Sequence, residues 1–173
     1  MAVKNVLSYL ILIFLCFGCE RHSRHVVLAD QLIDKIADQL QKEKELRMIG
    51  NGGQMMGDVQ LIRIEFQYFH LVDLQDARKL LIYTIQTFLK NINGDQKIRP
   101  YLHTYPFSTN NIEVKIWIHQ PNGNYPSEGD IQCSSLGNNV LLYRIVEPSE
   151  FAPMPILHEE TYEEALKALR KSS

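Results

Sequence analysis

The spacing of apolar and polar positions changes several times along the chain, and each change marks an element. From Val27 to Ile49, Ala29, Leu32, Ile33, Ile36, Ala37 and Leu40 recur at three- and four-residue spacing. Asp30, Asp34, Lys35, Asp38, Lys42 and Glu45 occupy the opposite side. This is the pattern of an amphipathic helix lying on a core. The run Gly50-Asn51-Gly52-Gly53-Gln54-Met55-Met56-Gly57 reads as its stop, with Gly50 as the C-terminal cap of a flexible turn. The period then falls to two. Between Val59 and His70, Ile62, Ile64, Phe66 and Tyr68 share one side, and Arg63, Glu65 and Gln67 share the other. That alternation predicts a half-buried strand.

Asp73, with Asp76 three residues on, opens a second helix. Its stripe of Ala77, Leu80, Leu81, Ile85, Phe88 and Ile92 is widened by Leu74, Ile82 and Leu89, and Asn93-Gly94 stops it. After an irregular stretch, alternation returns with Ile112, Val114, Ile116 and Ile118 against Glu113, Lys115, Trp117 and His119. Ile131 to Leu136 and Val140 to Val146 read as a hairpin about Gly137-Asn138-Asn139. Pro148, Pro153 and Pro155 mark an extended linker. His158-Glu159-Glu160 is its polar lead into a last helix, which Thr161 and Glu164 cap and whose apolar side is Tyr162, Ala165, Leu166 and Leu169. The expected order is α-β-α-β-β-β-α. It implies a two-layer α+β sandwich with about four mostly antiparallel strands and the helices on one face. Residues 27–147 form the domain, and residues 148–173 form the linker and C-terminal helix.

The N-terminus has a different character. Lys4 is the sole charge before Glu20, and Val6 to Phe17 is apolar. A membrane-spanning helix needs roughly 20 apolar residues. This shorter run with its basic start suits a signal peptide of residues 1–18. An uncleaved anchor helix and a buried core segment are the other readings of the same run. Leu15-Cys16-Phe17-Gly18-Cys19 resembles the bacterial lipobox, departing from it at Cys16 and Phe17. The resemblance implies cleavage before Cys19, acylation of its thiol, and residues 19–26 as a tether. Each buried methylene of an acyl chain is worth about 0.8 kcal/mol, so two or three chains anchor stably. Glu20, where a sorting Asp would favour the inner membrane, leans the expectation towards the outer one.

Composition then excludes several classes. A net charge of -2 and 22% charged residues argue against a general nucleic-acid binder or a polybasic membrane-surface protein. Of the three cysteines, only Cys133 stands outside the N-terminal region. It has no disulfide partner in the processed chain and reads as a small core residue. A reactive thiol would need a positive neighbour, which Ile131 to Ser135 does not supply.

No stretch carries a catalytic motif. The glycine run leads from helix to strand, the reverse of a phosphate-cradling loop. Met48, Met55 and Met56 beside it suggest an adaptable apolar surface. No histidine pair has the helical spacing of a zinc site, and neither a nucleophile elbow nor a Ser-x-x-Lys is present. No metal or cofactor is therefore expected. The most unusual stretch holds Arg99, Tyr101, His103, Tyr105 and Phe107 around Pro100 and Pro106. It reads either as a packed connection or as an interaction surface, because tyrosine and arginine are common interface anchors. Arg63, Glu65, Lys115, Trp117 and His119 extend that surface if they share an open sheet face.

The glycine-methionine run, Arg99-Pro100-Tyr101-Leu102 with Tyr105-Pro106-Phe107, and the strand Ile112 to Ile118 resemble a group of small lipoproteins of chlamydia-like bacteria. The resemblance brings no activity or site and implies a Gram-negative setting. The expectation is an exported, lipid-anchored envelope protein facing the periplasm. Its domain contacts another envelope protein rather than catalysing a reaction. The alternative is a small-ligand or cell-wall binding domain.

Overall fold

The computed structural model describes residues 23–147 and 153–171, so Cys19, the apolar N-terminal run and Pro148 lie outside the described residues. Helix α1 (Arg24–Lys44) buries Ala29, Leu32, Ile33, Ile36, Ala37 and Leu40, as their spacing requires. It ends earlier than expected. Glu45, at φ 58, is the left-handed capping residue, and the Glu45 and Leu46 amides turn back onto the Gln41 and Leu40 carbonyls. Leu46 then drops fully into the core, so the helix stops one turn before Gly50.

The glycine run is not a turn but part of strand β1 (Arg47–Gln54), paired antiparallel with β2 (Leu61–Tyr68). A β-carbon on Gly53 would land on the Leu61 carbonyl oxygen, so close strand approach requires glycine there. Gly50 and Gly52 face open space.

Helix α2 (Leu74–Gly94) is capped by the Asp73 carboxylate, which accepts the Asp76 amide at 2.8 Å. It carries the chain back, so that β3 (Ile112–Ile118) pairs with β2 in parallel. Residues 95–111 make the return through two short 3-10 turns, Arg99–Tyr101 and Thr109–Asn111. The Asn93 side chain holds this loop, donating to the Phe107 carbonyl at 2.9 Å and accepting its amide at 2.7 Å. Strands β4 (Ile131–Gly137) and β5 (Val140–Ile145) form the expected hairpin. Asn138 and Asn139 both take positive φ at its two-residue turn. Part of the stretch read as a linker forms β6 (Ile156–Thr161) on β5. Helix α3 (Tyr162–Lys171) follows, its Thr161–Glu164 capping box in place.

The class is α+β and the sheet mostly antiparallel, as expected, but it has six strands in the order β1-β2-β3-β4-β5-β6. The element order is α-β-β-α-β-β-β-β-α. Both additional strands are sheet edges, where backbone hydrogen bonding to a neighbour substitutes for an apolar pattern. The helices lie on the face bearing Ile62, Ile64, Phe66, Ile112, Val114, Ile116, Leu136 and Leu141. Among the described residues, one ion pair is buried in this layer. Arg78 of α2 donates from Nε to Glu160 of β6 at 2.6 Å, and both residues are under 10% exposed. Glu160 is therefore a core residue, not a solvated helix lead-in. Tyr143 lies fully buried beside it, its phenol pushed up by burial and by the Glu160 charge.

Two stability measurements check this layout. In urea unfolding, Gly53→Ala should cost about 2 kcal/mol through overpacking, and Gly50→Ala no more than about 0.5 kcal/mol. Equal costs would mean that β1 and β2 do not meet in this register. Arg78→Met should destabilise by about 3 kcal/mol because it strands a buried carboxylate. Adding Glu160→Leu should recover most of that loss, and a double variant no better than the single one would contradict the pairing.

Candidate functional site

Parallel pairing in register puts Arg63 opposite Glu113, Glu65 opposite Lys115 and Gln67 opposite Trp117. These side chains point away from the helices, because their neighbours Ile62, Ile64, Phe66, Val114 and Ile116 point into the core. Strand β4 adds Ser135 beside Lys115 and Cys133 beside Trp117. Strand β5 adds Leu142 opposite Ser135 and Arg144 opposite Cys133. On the other side, β1 contributes Gly50 opposite Glu65 and Gly52 opposite Arg63, backbone without side chains beside the charged pairs, and Arg47 opposite Gln67. Among the described residues no element packs over this face as the helices do over the other.

Opposite charges across a strand pair attract, and here they form a network. Arg63 Nε donates to Glu113 Oε2 at 2.5 Å. Glu65 is the hub: Lys115 Nζ reaches Oε1 at 3.2 Å, and Trp117 Nε1 donates to Oε2 at 3.1 Å. The Lys115 ammonium lies 5.3 Å from the Trp117 ring centroid. The indole hydrogen bond, followed by the Lys115 partnership, holds the Glu65 carboxyl below its ordinary range against the opposing effect of burial. Arg144 donates to the Ser135 hydroxyl at 3.2 Å and forms no ion pair among the described residues. Around the middle of the face, Arg63, Lys115 and Arg144 thus meet two carboxylates, Glu65 and Glu113. Together with Leu142 they line a shallow depression of about 360 Å³.

Just beyond the ends of β2 and β3, Phe69 and His119 continue the same alternation and stack with ring centroids 5.3 Å apart. Tyr125 lies 5.7 Å from His119. One end of the face is therefore aromatic and its middle is charged.

The expected surface residues separate. Arg63, Glu65, Lys115, Trp117 and His119 do share a face. The ring-rich loop lies at the other end of the strands, since Val59, just before β2, bridges to Leu102. Phe107 is only 3% exposed and belongs to the core, held there by Asn93, so it offers nothing to a partner. Tyr101 is half-buried against His25, with ring centroids 6.1 Å apart. His103 is exposed and pairs with Asp58 at 2.7 Å. Tyr105 is exposed, and the Arg99 guanidinium lies 4.6 Å from its ring centroid. Cys19 lies outside the described residues. Sequence reading missed Ser135, Leu142 and Arg144. The alternation of β5, in which buried Leu141 and Tyr143 alternate with Leu142 and Arg144, is the signal that points to the last two.

Burial pushes the Cys133 thiol up to about 11, so no thiolate is available at neutral pH. Among the described residues no group of histidine, cysteine and carboxylate side chains is arranged to hold a metal ion. Compared with family models, curated proteins and solved structures, the chain matches none.

Trp117 is the sole tryptophan, so its emission reports the network directly. The folded pKa of Glu65 lies below its unfolded value. Its contribution is therefore complete above the ordinary carboxylate range of about 4 and is lost as pH falls through the lowered value. Acid titration should change Trp117 emission before far-UV circular dichroism is lost, and Glu65→Gln should abolish that early step. An emission constant until global unfolding would contradict the Glu65 hub.

Proposed function

We propose that the protein is an exported, lipid-anchored envelope protein whose α+β domain docks another envelope protein on the uncovered sheet face. The observation that carries this reading is the face itself. Among the described residues this sheet surface lacks a covering layer, yet its side chains are held in place by one another, Lys115 and Trp117 by Glu65 and Arg63 by Glu113. Side chains fixed before contact lose little freedom on binding. Trp117 and Leu142, both partly exposed, offer apolar area, and Arg144 offers a guanidinium without a carboxylate partner among the described residues. The partner chemistry that fits is a protein segment with an apolar side chain for Trp117 and an acidic one for Arg144.

The address follows from the N-terminal run and Cys19. Acylation there leaves only a few residues before α1 begins at Arg24. At ~3.6 Å per residue the domain is held within about 20 Å of its anchor. A second reading, a small-ligand or cell-wall binder, is favoured by the size of the depression, since ligand sites start near ~300 Å³. Its half-open shape and ion-paired lining favour the protein partner.

A photoreactive residue in place of Leu142, in cells that process lipoproteins, should yield a defined crosslinked product. Arg144→Glu should remove that product without changing far-UV circular dichroism. Cys19→Ser should also remove it by releasing the domain from the membrane. A product that survives both changes would rule out this docking face, and a crosslink to glycan would favour the second reading.

A further inference from the structure

The end of the molecule where the chain enters the domain carries apolar side chains that no element covers among the described residues. His25, in the first turn of α1, is only 7% exposed. It bonds the Met55 carbonyl oxygen at 2.7 Å and stacks on Tyr101. This gathers three segments at one end: the start of α1, the turn Met55 to Asp58 between β1 and β2, and the loop from Lys97 to Tyr105. Val59 locks the last two together, pairing with Tyr101 and His103 through its backbone. On this end Met56 is 92% exposed, Tyr105 52% and Val27 41%. Arg24 belongs to the first of these segments and Lys97 and Arg99 to the third, with Arg99 stacked on Tyr105 and donating to the Asn93 carbonyl at 3.2 Å. The carboxylates here are engaged. Asp58 pairs with His103, and Asp95 accepts the amides of Lys97 and Ile98.

Resting on the proposed membrane tether, we infer that this end is a bilayer-contact surface, seated on the membrane that anchors the chain. The occupant follows from where the chain leads. Whether the anchor is an acylated Cys19 or the apolar run ending at Phe17, only a few residues separate it from Arg24. The start of α1 is therefore the part of the domain closest to the lipid. The residues placed there have the composition of an interfacial contact. Met56 and Val27 supply apolar area, Tyr105 is an amphipathic ring suited to the headgroup level, and the exposed Arg24 and Lys97 can extend to lipid phosphates. A methionine this exposed on a turn gains nothing from the fold but loses contact with water when pressed into the headgroup layer.

The orientation has a consequence for the sheet. Strands β2 and β3 run parallel, both starting at this end. Seated on the membrane, they rise away from it over their 8- and 7-residue lengths. The aromatic cluster of Phe69, His119 and Tyr125 is then carried roughly 25 Å outward. The docking face stands upright on the bilayer, its aromatic end towards the periplasm.

The test uses the full chain, produced in a lipoprotein-processing host and reconstituted into vesicles of phosphatidylethanolamine and phosphatidylglycerol with no other protein. Nitroxide labels go on Met56→Cys, Tyr105→Cys and, as a far-end reference, Tyr125→Cys, with the unsubstituted chain as labelling background. Collision with oxygen and with a water-soluble nickel chelate is measured, and vesicle flotation is measured on the same samples. On reconstitution, labels at 56 and 105 should lose nickel collisions several-fold and gain oxygen collisions, while the label at 125 stays unchanged. Val27→Asp with Met56→Asp should restore nickel access at 105 while the protein still floats. If the chain floats but labels at 56 and 105 remain as nickel-accessible as at 125, the bilayer contact is wrong and the tether stands. If the chain does not float, the tether reading fails and the contact falls with it. Protection that appears only in native membranes would mean that a protein covers this end, which also overturns the inference.

Discussion

The parallel pairing of β2 with β3 is the constraint on which the remaining architecture depends. Antiparallel neighbours can be joined by a tight turn, but parallel neighbours need a crossover that returns the chain to its starting end. Here α2 supplies it. Its 21 residues extend about 31 Å, and the 8 residues of β2 about 26 Å. The helix overshoots the start of the strand, and residues 95–111 bring the chain back. That return loop is tied down on both sides, by Asn93 at Phe107 and by the Val59 bridge to Leu102. One crossover therefore produces the dominant helix of the core and the exposed loop beside α1.

The same pairing sorts the charges. In-register parallel strands place Arg63 against Glu113 and Glu65 against Lys115, so the uncovered face is satisfied laterally rather than by a second layer. The helix-covered face follows another rule. Its side chains are almost all aliphatic or aromatic, and the charged exception is a pair, Arg78 with Glu160. A buried carboxylate without its guanidinium would be prohibitively desolvated. That pair ties the edge strand β6 to α2.

In the proposed arrangement the two ends of β2 and β3 have different roles. The end beside α1 carries the attachment, and exposed methionine, valine and tyrosine surround it. The far end carries an aromatic cluster. Between them lies a charged, prearranged surface whose Arg144 lacks a carboxylate partner among the described residues. A domain held this close to its anchor searches few orientations, so a partner in the same envelope meets the face at high effective concentration.

The sequence alone determined the elements whose signals are local. Strand β3 runs from Ile112 to Ile118, as its alternation says. Helix α2 starts at the Asp73 cap, the two asparagines turn the β4–β5 hairpin, and Thr161 with Glu164 caps α3. Caps, turns and hydrophobic periodicity act within a few residues, so they are written in the order of the chain. Tertiary structure decided the rest. The sequence Arg-Met-Ile-Gly-Asn-Gly-Gly-Gln has no strand pattern and becomes β1 because β2 offers it a row of backbone partners. Glu160 is acceptable in a core only because Arg78 arrives from 82 residues away. Phe107 reads as a surface ring until Asn93 draws its backbone inward. Arg63, Glu65, Lys115, Trp117 and Arg144 gain a common face only through strand order and register, which depend on the crossover and not on any short stretch of sequence.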